Sequence, residues 1–333
     1  MTILTSTLGM EGIFHAAKFR RKRGRLVKTF ETEFPNLILN MGLNRLGLNN
    51  LAALTNRCYV GTGTTPPQVG DVALENQVLS QSVTAGSTTS GLVTPLGPDG
   101  ERGVYAYRRV VATFLEGTGN HNLTEVAMGR ALAGGGGTEL WCRQLFLNES
   151  GQPTAVTKLD DELLVITYEV RVYPYSEEIF EGPDTLILGQ MYKTRWFFGP
   201  WPDFGLDTIR NSSATSAAVR ATALPPPGTL YLPEVAPMTN ISNATSTTWL
   251  TYEDSSLQQD VRMRFDPASF SSTEIRSFRV PAFFARAAQD GGNLRANWHM
   301  SILPITEGAP DSISKNEDQE LIATFRYRWG RKE

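Results

Sequence analysis

The sequence is poor in the residues that metal and thiol chemistry need. Two cysteines, Cys58 and Cys142, stand 84 positions apart, so no zinc site or redox pair of CxxC spacing can be built from them. Both read as small buried side chains, with a disulfide open but not needed. The three histidines, His15, His121 and His299, are far apart and have no His-x-x-x-His spacing or carboxylate at ligand distance, which argues against a transition-metal site. Nothing calls for a cofactor. No run of 18 apolar residues exists to span a bilayer, and the start, MTILTSTLGMEGIFH, lacks the charged-then-apolar order of a secretory signal, so synthesis in a cytosol is expected. The net charge of -3 gives no whole-chain attraction to nucleic acid.

Catalytic words are scarce as well. No Gly-x-Ser-x-Gly elbow occurs. Gly61-Thr62-Gly63-Thr64-Thr65 looks like a phosphate cradle, but the Lys-Ser/Thr of a P-loop is absent and Pro66-Pro67 follow. Asp160-Asp161-Glu162 invites a glycosidase pair, yet it precedes a strand in which side chains alternate faces, so a solvated charge cluster is the better reading.

What is present is an ordinary globular composition, 41% hydrophobic and 20% charged, in a chain long enough for two cores. It also carries an internal repeat. Thr124-Glu125-Val126, Trp141, Lys158, Glu162-Leu163 and the run to Arg171 come back as Thr273-Glu274-Ile275, Trp298, Lys315, Glu320-Leu321 and the run to Arg328. Trp to Lys is 17 residues in both copies, while Glu to Trp grows from 16 to 24, a change that a loop absorbs at small entropic cost.

Residues 1–28 read as an extended arm that orders on a partner, so its removal is expected to leave a folded protein. Its basic run Lys18, Arg20, Arg21, Lys22, Arg23 and Arg25 is open to three readings: a solvated charge run, docking on an acidic neighbour, or nucleic-acid contact. Five of these, Arg20, Arg21, Lys22, Arg23 and Arg25, are the candidate partner-docking residues. Thr29–Phe34 reads as an edge strand closed by Pro35. Leu37, Leu39, Leu43 and Leu46 have helix-compatible spacing, and Cys58-Tyr59-Val60 is a short buried strand running into the Gly-Thr-rich loop.

The order Asn36-Leu37-Ile38, Gly42-Leu43, Gly61 to Pro67, then Asp71 and Leu74, resembles a group of tailed-bacteriophage virion proteins of tail fibres, baseplates and related appendages. Thr113-Phe114, Thr124-Glu125-Val126, Lys158 and Leu163–Val172 continue that resemblance, which covers about residues 26–173. It implies a non-enzymatic structural subunit, synthesised in the host cytoplasm and residing in the virion, that contacts other virion proteins as a homo-oligomer in a symmetric assembly.

The remaining chain reads as strands joined by long Ser/Thr/Gly-rich loops, with a domain boundary in the acidic Pro174–Pro183 stretch. The expected fold is all-β: two tandem antiparallel β-sandwich, jelly-roll-like domains at 29–175 and 176–333, related by duplication. Trp196, Phe197, Phe198 and Trp201 form the densest aromatic patch, either closing a core or presenting a platform for host glycan. That second use gives the alternative function, a carbohydrate-binding module for host-surface recognition. No membrane contact is expected, and nucleic acid is the least favoured partner.

Overall fold

A computed structural model of the chain describes residues 3–47, 51–93, 104–132, 137–175, 179–187, 190–199, 218–220, 240–266, 274–280, 297–314 and 318–332. The first half forms β1 (Ile3–Lys22), β2 (Arg25–Pro35), β3 (Leu37–Ile38), helices α1 (Asn40–Leu46) and α2 (Leu51–Leu54), then β4 (Arg57–Gly61), β5 (Gln77–Ser82), β6 (Thr89–Val93), β7 (Val104–Phe114), β8 (His121–Leu123), β9 (Glu125–Ala131), β10 (Thr138–Leu145), β11 (Val156–Lys158) and β12 (Glu162–Tyr175). The second half forms β13 (Ile179–Ile187), β14 (Gln190–Gly199), β15 (Ala218–Arg220), β16 (Asn240–Asn243), β17 (Ser246–Trp249), β18 (Gln258–Phe265), β19 (Glu274–Ile275), β20 (Ser277–Val280), β21 (Asn297–Pro304), β22 (Ile313–Ser314) and β23 (Leu321–Arg331). The protein is all-β, as its alternating sequence requires. Among the described residues no helix is long and apolar enough to cross a membrane.

Two compact units divide the chain. One, here the N-terminal unit, is Gly9–Gly91, Ala106–Val172 and Gly330–Glu333; the other, the C-terminal unit, is Met1–Leu8, Leu92–Tyr105 and Tyr173–Trp329. The change at Val172 falls three residues before the boundary expected after residue 175, and each unit borrows segments from outside its main stretch.

In the N-terminal unit, strict alternation builds a shared core. Leu164, Ile166, Tyr168, Val170 and Val172 of β12 are buried, as are Val110, Ala112 and Phe114 of β7, and Met10, Phe14 and Ala16 of β1. β1 is flanked by β2 and β12, and β12 leads on to β7 and β6. The second sheet runs β3-β10-β9-β4-β5, and β8 and β11 form a short separate ladder. Rings link the two sheets: Phe34 of β2 lies 5.9 Å from Phe146 just past β10, and Trp141 Nε1 donates to the Tyr168 hydroxyl at 2.7 Å. β9 and β10 are buried on both faces, and α1 and α2 pack against these two strands. Gly42 of α1 allows that approach; a Cβ there would lie 2.5 Å from the Trp141 carbonyl oxygen.

Residues 1–28 are not a separate arm. Ile13 to Lys22 pair antiparallel with β2, and Met10, Gly12, Phe14 and Ala16 alternate inward, a period-two pattern that packing on the body of the protein requires. Burying one large apolar side chain stabilises by about 1.5–3 kcal/mol. Removing residues 1–28 would therefore strip the core rather than leave it intact.

The C-terminal unit repeats the strand path of the N-terminal one. Its large sheet runs β14-β21-β20-β15-β16 with β13 added beside β14, its small ladder is β19-β22, and β17-β18-β23 pair in that order. Adding eleven to each strand number from β3 to β12 converts one path into the other. The register refines the repeat seen in sequence. Glu125 opens β9 opposite Gly61, the last residue of β4, and Ser277 opens β20 opposite Arg220, the last residue of β15. Ser277, not Glu274, is thus the counterpart of Glu125, since Glu274 lies on the small ladder with Ser314. Trp298 falls at the position of Cys142, one residue from Trp141, where β10 has a bulge between Leu140 and Cys142. Counting on from Gly61 and Arg220, Pro66-Pro67 coincide with Pro225-Pro226. Lys315 lies outside the described residues.

Candidate functional site

The Gly-Thr-rich loop meets two buried, opposite charges. Glu125, with no exposed surface, sits at the start of β9 and Arg143, 3% exposed, on the neighbouring β10. The Arg143 guanidinium donates from Nε to Glu125 Oε2 at 3.0 Å, from Nη1 to Asp71 Oδ2 at 2.5 Å and from Nη2 to the Thr65 carbonyl at 3.0 Å. Glu125 also accepts from the backbone amides of Gly63 (3.0 Å), Asn76 (2.8 Å) and Glu75 (3.1 Å). Glu75 returns over the loop and accepts from the Thr64 and Thr65 amides at 2.7 and 2.8 Å.

Buried charges need this degree of pairing, because each is expensive to desolvate alone. Burial alone would lower the Arg143 pKa, but its hydrogen bonds to Asp71 and Glu125 outweigh it and hold it above the ordinary arginine value. Amide bonds, chiefly from Thr65, keep the Glu75 carboxyl below the usual range. Gly61 and Gly63 are required by proximity: a Cβ at either would lie 2.6 or 2.5 Å from Glu125 Oε1. The loop that resembles a phosphate cradle is therefore filled by two of the protein's own carboxylates, which take five backbone amides between them. At the equivalent positions of the C-terminal unit the register places Arg220 for Gly61, Ser277 for Glu125 and His299 for Arg143, so the Glu125–Arg143 pair is not repeated at those positions. The sequence reading used Glu125 as a repeat landmark and missed Glu75 and Arg143. The available signal was an arginine inside the apolar run Leu140–Leu145.

Asn36 and Leu39 hold the sheet junction. Asn36 N donates to the Gly12 carbonyl, its side-chain amide lies 3.5 Å from the Tyr168 hydroxyl, and Leu39 N donates to the Trp141 carbonyl.

The basic run occupies the end of the β1–β2 hairpin, and the structure sorts it in two. Lys18 binds Glu162 (3.3 Å) and the Thr157 carbonyl, Arg20 binds Asp161 (2.6 Å), and Arg21 binds Glu116 (3.1 Å). The Asp161 and Glu162 carboxylates, expected to be solvated, are partners of this run. His15 and Lys28 both bind Glu31, and those bonds lower the Glu31 pKa. Lys22, Arg23 and Arg25 are exposed and have no charged or hydrogen-bonding side-chain partner among the described residues. Arg23 and Gly24 turn the chain with φ of 50° and 78°, the left-handed pair of a two-residue type I′ hairpin.

Of the aromatic patch, Trp201 and the side chains of Trp196, Phe197 and Phe198 lie outside the described residues. Their backbone in β14 is paired on both sides, with β13 and β21. Phe197 and Phe198 occupy the register positions that Leu37 and Ile38 hold beside β10. Cys58 and Cys142 are buried and free, on β4 and β10 with Met128 of β9 between them, so they stand two strand spacings, about 10 Å, apart. Burial pushes the Cys142 thiol up to about 12 and the Cys58 thiol higher still. Lys158, fully buried, donates to the Leu159 carbonyl, and burial lowers its pKa. Among the described residues no group of three or more His, Cys, Asp or Glu is arranged to hold a metal ion. Comparison with known proteins gives no match to a protein family, a curated protein or a solved structure.

Proposed function

We propose that the chain is a non-enzymatic structural subunit of a tailed-phage particle: two β-sandwich modules of one duplicated design, docking on neighbouring virion proteins. One observation carries the reading. The residues that give the sequence its phage-like pattern, from Asn36 through Gly61–Gly63 to Asp71, are committed to internal hydrogen bonds, and their most reactive-looking cluster is saturated by its own loop. Such residues maintain a scaffold, and a scaffold serves by the surfaces it presents. The register of β14 supports the same reading over a sugar platform, since it sets Phe197 and Phe198 at positions that pack beside β10 in the other unit.

The test is mass spectrometry of purified particles of the phage that encodes the chain. The chain is expected in fixed proportion to known structural proteins. Its absence from particles, or turnover of host polysaccharide by the purified protein, would overturn the proposal.

A further inference from the structure

The β1–β2 hairpin divides its charges between holding and reaching. From Arg21 to Thr29 every residue is exposed, so both faces of this ribbon stand clear of the sheet beneath it. At its base Lys18, Arg20 and Arg21 are tied to Glu162, Asp161 and Glu116, carboxylates at the start of β12, in the β11–β12 connection and in the turn after β7. Beyond the base Lys22, Arg23 and Arg25 have no charged or hydrogen-bonding side-chain partner among the described residues, and Leu26 and Val27 are 49% and 39% exposed on opposite faces. Leu115, 58% exposed, adjoins Glu116 at the base.

We infer that this prong docks on an acidic surface of a second copy of the same chain. The charge balance selects that partner. Lys18, Arg20 and Arg21 are already balanced by Glu162, Asp161 and Glu116, so the free tip is the three cations Lys22, Arg23 and Arg25; the other 28 of the 31 basic residues stand against 34 acidic ones, a net of −6 for the rest of the chain. Each copy therefore carries a cationic tip and an anionic remainder, an arrangement that is complementary between copies. The contact joins different surfaces on the two copies, so repetition closes a ring or extends a filament. The aliphatic shoulders distinguish a protein from a polyanion as the partner: the exposed Leu26 and Val27 gain from burial against a protein surface, and the tip Lys22–Val27 has no aromatic ring on which bases could stack. Charge at such a rim sets encounter rate and salt dependence, and the apolar shoulders supply burial.

This inference deepens the assembly reading above and rests on it. Sedimentation of the full chain at low and at physiological salt tests it, beside a variant carrying Lys22→Glu, Arg23→Glu and Arg25→Glu and a second carrying glutamine at the three positions. The native chain is expected to self-associate, more weakly as salt rises. The glutamate variant is expected to associate at least about tenfold more weakly, with the glutamine variant between. Circular dichroism and melting should be unchanged, because no described contact is removed. A chain that stays monomeric under all conditions, or association indifferent to the three charges, overturns the inference. So does retardation of duplex DNA by the native chain, lost in the variants, without self-association. A chain found in particles yet monomeric in solution removes this inference and leaves the structural-subunit reading standing.

Discussion

Glu125 and Arg143 are coupled so tightly that neither can be changed alone. Glu125→Ala would leave a guanidinium buried beside Asp71 and three amides without an acceptor, a loss of about 3–5 kcal/mol, read as a fall in chemical-denaturation midpoint. Glu125→Leu with Arg143→Met is expected to lose less than the sum of the single changes, since both charges leave together; equal or greater loss would show the two do not act as a pair. Glu75 makes a pH prediction of definite sign. Its folded pKa is below the unfolded value, so the order it gives the loop is fully present above the ordinary carboxylate pKa of about 4.3 and is lost as pH falls through the lower folded value. Hydrogen exchange of the Thr64 and Thr65 amides should speed up over that acid range, and in Glu75→Gln should already be fast at neutral pH. These partners were not legible in the sequence, because Asp71, Glu75, Glu125 and Arg143 are brought together by a loop and two strands up to 72 residues apart.

At the scale of elements, β1 decides whether the N-terminal unit exists. The alternation Met10, Gly12, Phe14, Ala16 was present in the sequence, but the basic run that follows drew attention to charge rather than to period. Deleting residues 1–28 is now expected to give an insoluble or unfolded chain, checked by circular dichroism; a cooperative melt after that deletion would contradict the placement of β1. Gly12 marks the tightest point of the strand, where a Cβ would lie 2.2 Å from Asn36 Oδ1 and 2.3 Å from the Tyr168 hydroxyl. Gly12→Ala should therefore destabilise by about 1–3 kcal/mol through displaced core side chains, seen as a lower melting temperature. An unchanged melt would mean that Asn36 and Tyr168 move aside freely. The hairpin itself was half legible. Arg23-Gly24 is a turn signal, whereas the ion pairs at its base join it to residues 95 to 144 positions away.

In the whole molecule the chain closes on its beginning. Arg331 near the C-terminus donates to the Ile38 carbonyl at 2.6 Å and to Asn40 Oδ1 at 2.7 Å, and Lys332 N donates to the Met10 carbonyl at 2.8 Å. Truncation after Trp329 should lower the melting temperature of the N-terminal unit, by an amount equivalent to about 1–3 kcal/mol, and calorimetry would detect it. The sequence by itself determined the all-β class and the presence of a repeated pattern, because apolar alternation and recurring landmarks are local properties that survive without knowledge of contacts. Tertiary structure alone decided the register of the repeat, which moved the partner of Glu125 from Glu274 to Ser277, and the sorting of the basic run into tied and free cations. Register depends on which backbone groups pair across strands, and a charge's availability on what lies opposite it. Both are set by residues distant in the chain, so no stretch of sequence carries them alone.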